Sequence, residues 1–297
     1  MKEVSVVVPV RNEERHIADT LRALLSSTYP SFEVIVVDDA STDATPSAAE
    51  AFASTGRVRV LRNATCVGPV RSTNLGSQAS RADVLLFLDG DCTPAADWIE
   101  QGIDSLRRPG VVAVEGAVHY AHPRPSFRHR VPINPFYNLV QRGSLTVPGR
   151  DYANGSFAVR RDAFVAVGGF NADRYPYGRE DTDLGLRLRR VGEVAYNAEM
   201  KVTHKEERWT MRDLLRNARR YGADVRILKD HGQFPFRRGK ILHPRFLAEL
   251  CFPPLILFRY PMRSLADVLF APAFYVYLWA LRVAIWKAAW RERILVI

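Results

Sequence analysis

The chain has 297 residues, of which 47% are hydrophobic and 25% charged, a balance that supports a folded core and excludes a disordered polymer. Its net charge of +10 is uneven: residues 201–297 hold 19 Lys/Arg against 8 Asp/Glu, a surplus of +11, so the first two hundred residues are close to neutral. A basic block of this kind needs an anionic partner, such as phospholipid, nucleic acid or a phosphorylated substrate.

Val4–Val10 reads as a buried strand, and residues 13–27 have helical spacing through Ile17, Leu21, Leu24 and Leu25. Phe32–Asp39 is a second buried strand, followed by a helix start and an alanine-rich helix in residues 41–54. Residues 58–63 form a third strand, residues 68–80 a loop running into a helix, and residues 82–91 (ADVLLFLDGD) a fourth strand. Strands apolar on both faces and separated by helices imply a parallel sheet covered on both sides. Ligands gather beyond the carboxyl ends of such strands. Arg11-Asn12-Glu13, Asp38-Asp39, and Asp89 with Asp91 all fall at those ends. Asp89-Gly90-Asp91 by itself reads either as a polar turn or as carboxylates for a hard divalent cation.

His119–Arg150 is rich in Pro, Arg, His and aromatics, without a clean period, and reads as a long irregular excursion. Next come a short strand over Ser156–Val159, a helix and a Gly-Gly stop. Residues 178–192 form a helix with acids in its first turn and basics in its last, and residues 193–204 a closing strand or two. Leu214, Ala218, Tyr221, Val225 and Leu228 fall on one helical stripe. Two apolar stretches follow, Phe246–Phe258 and Val268–Trp286. Three cysteines, Cys66, Cys92 and Cys251, follow no metal or disulfide spacing and suit a reducing compartment. The opening MKEVSVVVPV is too short and strand-like to read as a signal peptide.

Six pieces carry a resemblance: VVVPVRNEE, VIVVDDASTDAT, VGPVRSTNLG, LLFLDGDC, ANGSFAVRRDAFVAVGGF and GREDTDLGLRLRRVG with the later VTH. In this order, over residues 4–205, they resemble a family 2 glycosyltransferase of the GT-A fold, inverting and non-processive. The resemblance implies an α/β fold with a mixed, mostly parallel sheet flanked by helices, and a catalytic domain at residues 1–210 with a donor half to about 118 and an acceptor half after it. The charge and apolar pattern of the residues themselves mark 211–297 as a basic, apolar region of C-terminal amphipathic and apolar helices.

The resemblance also implies roles. Asp91, with Asp89 and His204, would hold Mn²⁺ or Mg²⁺ as Lewis acid for a nucleotide-diphosphate leaving group. His204 also reads as an ordinary strand-end histidine, and Cys92 as a bystander. Gly90 would leave room for the diphosphate. Asp39 would contact the base, with the Pro9–Glu13 turn (Pro9, Arg11, Glu13) beside it, while Ser41 and Asp43 are structural. Asn74 matches the donor side, and Arg71 stands two residues before the family's usual arginine position, which is Thr73 here. Asp181 would be the general base, with Glu180 positioning it or the acceptor; the alternative is two acids decorating a helix N-terminus. Asn154, Gly155 and Ser156 would lie on the acceptor side.

A nucleotidyltransferase of similar layout would need a glycine-rich loop after the first strand, where PVRNEERH has none. A non-enzymatic basic scaffold explains the C-terminal charge but leaves the ordered carboxylates without a purpose. The expected partners are a nucleotide-sugar donor, a glycan or lipid-linked acceptor and an anionic membrane surface rather than nucleic acid. Basic flanks on both sides of Val268–Trp286, with Pro272 and Arg282 inside it, favour helices lying at the cytoplasmic face of the membrane over a lone span. Docking of these helices on the catalytic domain or a second subunit is the alternative. The Gln-x-x-Arg-Trp motif of processive relatives is replaced by NARRYG at Asn217–Gly222.

Overall fold

The computed structural model describes residues 4–121, 155–176, 178–205 and 222–231, with isolated positions at 276, 280, 283, 287 and 290–292. The strands are β1 (Val4–Val10), β2 (Phe32–Asp38), β3 (Val58–Arg62), β4 (Val84–Phe87), β5 (Cys92–Pro94), β6 (Val111–Ala121), β7 (Phe157–Arg160) and β8 (Glu193–Lys205). They form one sheet in the order β3-β2-β1-β4-β7-β6-β8-β5. The first four pair in parallel; β7 runs antiparallel to β4 and β6, β8 parallel to β6, and β5 antiparallel to β8. The helices are α1 (Ile17–Leu25), α2 (Thr45–Glu50), α3 (Pro69–Ala79), α4 (Trp98–Leu106), α5 (Arg161–Ala166), α6 (Glu180–Leu188) and α7 (Gly222–His231).

The near-continuous apolar runs of the first two strands have a direct structural cause. Successive side chains of a strand point to opposite faces, so a strand covered on both faces needs apolar residues at every position. Val4, Val6, Val8 and Val10 pack with Phe32, Val34, Val36, Leu86 and Leu88 in one core, together with Ile17 and Leu21 of α1 and Trp98 and Ile103 of α4. Val7, Ile35, Val37, Leu85 and Phe87 enter the other core, with Phe164 of α5 and Leu184 and Leu188 of α6. The result is a sheet between two helical layers.

The helix expected across residues 41–54 is shorter: α2 begins beside Pro46 and gives way to a 3-10 turn at Ala53–Thr55. Three elements had no sequence expectation, β5, α4 and β6. Residues 193–204 form one strand with β6 whose register shifts between Gly116 and Ala117, not two strands.

The chain divides into two compact units, Met1–His122 with Thr146–Glu206, and Pro123–Leu145 with Glu207–Ile297. Within the second, Lys229 on α7 meets Glu292 at 3.0 Å. Among the described residues no helix is long and apolar enough to cross a membrane. The stretch Phe246–Phe258, most of Val268–Trp286, most of the 119–150 excursion and Asn154 lie outside the described residues.

Candidate active site

The turns after β1 and β2 are joined through short polar side chains. Asn12 accepts the Thr42 N–H at 2.9 Å, and its own N–H donates to Ser41 Oγ at 2.9 Å. The Glu13 N–H donates to Thr45 Oγ1 at 2.7 Å. Ser41 is therefore structural, as is Asp43, which accepts the Thr45 N–H at 3.0 Å. Pro9 stays within β1, Arg11 projects exposed beyond its end, and Glu13 lies against the next turn of the rim.

That turn is Asp89-Gly90-Asp91, held from three sides. The buried Thr20 of α1 donates to the Gly90 carbonyl at 2.8 Å, Cys92 N–H to the Asp89 carbonyl at 3.1 Å, and Lys205 N–H to the Asp91 carbonyl at 3.0 Å. Gly90 itself is buried, and a Cβ there would meet Val10 Cγ1 at 2.6 Å. The glycine is thus needed for packing against β1. The short β5 pairs Cys92 opposite His204, and this register places His204 Nε2 3.5 Å from Asp91 Oδ2. One ligand atom from each of Asp89, Asp91, Cys92 and His204 lies within 4.8 Å of the others. Two carboxylates and an imidazole fit a divalent cation of the Mn²⁺ type. Burial, together with the charges of Asp89 and Asp91, pushes the Cys92 thiol far up, so without a metal it stays a protonated thiol.

Gly155 faces this turn with φ +78°, and a Cβ there would stand 2.9 Å from Asp89 Oδ2. Ser156 does not reach the rim. It is fully buried, accepting from Trp98 Nε1 at 2.9 Å and lying 3.2 Å from the Met200 carbonyl. Its expected acceptor role is replaced by a bridge between α4 and β8.

Glu180 and Asp181 open α6, preceded by Arg179 in the left-handed region at φ 69°. Glu180 Oε2 is buried and has no hydrogen-bond partner among the described residues. Burial first, then the Asp181 charge and a smaller contribution from Asp89, push the Glu180 carboxyl up to about 8. Asp181 Oδ1 accepts the Thr182 N–H at 2.6 Å. One turn further, the buried Asp183 accepts both Nε and Nη2 of Arg187, at 2.9 and 2.6 Å. Arg187 Nη1 also donates to the Val167 and Gly169 carbonyls at 2.6 and 2.7 Å. This pin ties α6 to the Gly-Gly turn. Sequence reading noted only the helix polarity here; the Asp-Arg spacing of four was the available signal.

Asn74 joins α3 to the turn before α6. Its amide donates to the Phe170 carbonyl at 2.8 Å and accepts the Phe170 N–H at 3.1 Å, clamping that same turn onto α3. Arg71 is exposed and pairs with Asp173 at 2.7 Å. Asp39 is buried, 2% exposed, and accepts from Val67 N, Gly68 N, Asn63 Nδ2 and Cys66 Sγ. These bonds outweigh its desolvation and hold its carboxyl below the usual range. Asn63 and Cys66 were not singled out from sequence; the polar residues after β3 were the only hint.

Comparison with known proteins adds the following. The sequence model of glycosyl transferase family 2 matches residues 5–168, and one described as the N-terminal domain of galactosyltransferase matches residues 134–207. Glycosyltransferase AglE of Haloferax volcanii is 37% identical over 171 residues, 56% of this chain and 55% of the relative. A pre-mycofactocin glycosyltransferase of Mycobacterium tuberculosis is 30% identical over 231 residues, 75% of this chain and 47% of the relative. The chain thus spans about half the length of these curated relatives. A mannosyltransferase of Pyrobaculum calidifontis, solved with GDP-Man and Mn²⁺, superimposes with a TM-score of 0.67 at 21% identity, covering 96% of this chain and 87% of that one. This likeness establishes the GT-A architecture.

Proposed function

We propose that this chain, which belongs to glycosyl transferase family 2, moves a sugar with inversion from a nucleotide diphosphate to a glycan or lipid-linked acceptor. That it is a glycosyltransferase follows from the family. The observation that carries the finer reading is the meeting of Asp89, Asp91 and His204 at one end of the sheet, with the Asp89 charge felt by Glu180 beside Asp181.

Asp91 and His204, with Asp89, would hold Mn²⁺ or Mg²⁺, which supplies positive charge for a departing diphosphate. Asp181 takes the proton of the acceptor hydroxyl as that oxygen bonds to the anomeric carbon and the carbon–oxygen bond to the diphosphate breaks. Glu180, its carboxyl raised by burial and by the charge of Asp181, stands beside that base and positions it or the acceptor. Asp39 and Arg11 form the base side and Gly155 the wall beside Asp89. The GDP-Man and Mn²⁺ bound to the Pyrobaculum calidifontis mannosyltransferase support this donor class.

The C-terminal region docks on an anionic membrane surface in this reading. Its surplus of basic residues and the 86% exposed Trp290 support that placement. The test is a screen of nucleotide sugars with Mn²⁺ or Mg²⁺, with and without lipid extract, reading nucleotide diphosphate release and product stereochemistry. Metal-dependent release with an inverted product, lost in Asp91→Asn and Asp181→Asn, is expected. Release that persists in both variants, or a retained configuration, overturns the reading.

A further inference from the structure

We propose that Cys66 sets the affinity for the donor nucleotide, because a base reaching Asp39 must displace the Cys66 thiol. The inference rests on the reading of Asp39 as the base contact. A carboxylate offers about four lone-pair directions, two on each oxygen. In Asp39 all four are taken: Oδ1 by Val67 N–H at 2.8 Å and Asn63 Nδ2 at 3.0 Å, Oδ2 by Gly68 N–H at 2.9 Å and Cys66 Sγ at 3.2 Å. A base N–H therefore gains this carboxylate only by removing one of the four.

Three of them resist removal. The Val67 and Gly68 amides belong to the loop backbone that leads into α3, and withdrawing either leaves a main-chain donor to be satisfied elsewhere. Asn63 is anchored a second time, donating to the buried Ser72 Oγ at 3.0 Å. Cys66 differs on both counts. It is exposed, and a thiol is the weakest donor of the set. Arg11, the exposed residue beyond β1, donates to the same sulfur at 2.8 Å. A base that displaces the thiol thus releases Arg11 at the same moment, freeing a guanidinium at the rim for the donor. Cys66 is a specificity-determining residue in this account, acting by competition on Asp39.

The competition fixes opposite signs for two substitutions. Cys66→Ala removes the competitor and opens Oδ2, whereas Cys66→Ser installs a stronger one, since a hydroxyl bonds a carboxylate more tightly than a thiol does. Calorimetric titration of the full chain with UDP and with GDP, in Mn²⁺, measures the effect. For whichever nucleotide binds, the dissociation constant falls by about three- to tenfold in Cys66→Ala and rises by a similar factor in Cys66→Ser, the worth of one hydrogen bond. A bound nucleotide should also slow iodoacetamide alkylation at Cys66, mapped by peptide mass. Equal affinities in all three proteins, or shifts of the same sign in both variants, overturn the inference and leave the donor reading standing. Failure of the folded wild-type chain to bind either nucleotide overturns the donor reading and the inference with it.

Discussion

Replacing Arg187 by Met tests whether the pin under the Glu180-Asp181 helix holds that helix in place. The guanidinium makes four hydrogen bonds, two to Asp183 and one each to the Val167 and Gly169 carbonyls. The side chains of Arg187 and Asp183 are only 17% and 3% exposed, so solvent screens this pair little. Methionine retains most of the volume but removes the guanidinium from the buried Asp183 carboxylate. Breaking such a pair from one side costs about 3–5 kcal/mol. At roughly 2–4 °C per kcal/mol for a protein of this size, the midpoint of thermal unfolding falls by about 6–20 °C. Adding Asp183→Leu removes the buried charge that the guanidinium had balanced, so the double variant recovers most of the loss. Thermal or denaturant unfolding of wild type, single and double variants gives the comparison. In a sugar-transfer assay below the melting range, kcat falls while the KM for donor holds, because the pin touches α6 and the Gly-Gly turn. A single variant within about 1 kcal/mol of wild type, or a double variant no more stable than the single, would refute the reasoning.

Three more outcomes follow from the site. The Glu180 carboxyl, raised to about 8 from an ordinary 4.5, stays protonated when folded at pH values where the unfolded chain has lost that proton. Stability from this group is therefore fully present below about 4.5 and declines as pH rises to about 8. In chelator-treated protein Glu180→Gln should flatten that decline, with its largest gain in melting temperature above pH 8; an identical gain at pH 5 and pH 9 contradicts it. Gly155→Ala places a methyl 2.9 Å from Asp89 Oδ2 at φ +78°, so Mn²⁺ affinity measured by calorimetry or paramagnetic relaxation should weaken. The backbone strain adds about 1–2 kcal/mol of destabilisation. Asp91→Asn should abolish Mn²⁺ binding with little loss of stability, because Thr20 Oγ1 and the Cys92 and Lys205 N–H groups hold the turn by its main-chain carbonyls; a bound ion of unchanged affinity would place the metal elsewhere.

The sheet and its flanking helices are legible in the sequence because their causes are local. Val4–Val10 and Phe32–Asp38 are near-continuous apolar runs, interrupted only by Ser5 and Glu33 before the closing Asp38, and α1 repeats its apolar residues at helical spacing. The order of polar strand ends already placed Asp39, Asp89 and Asp91 at one rim. Local pattern is silent where one residue of parity or one partner distant in sequence decides the outcome. Ser156 stands beside a rim glycine, yet the start of β7 turns it inward to Trp98 and Met200. Asn74 belongs to a family motif, but its amide spans both polar groups of Phe170, whose position no nearby residue specifies.

The sequence by itself determined the first four strands, the helices between them and which carboxylates reach the strand ends, since strand and helix periodicity act over a few residues. Only the tertiary structure decided what those groups meet. The antiparallel register of a three-residue strand brings His204 to Asp91, the packing of α1 braces Gly90, and the loop after β3 fills every lone pair of Asp39. Such contacts depend on backbone paths separated widely along the chain, and a hydrogen bond requires partners within a few tenths of an ångström, a tolerance that periodicity cannot encode.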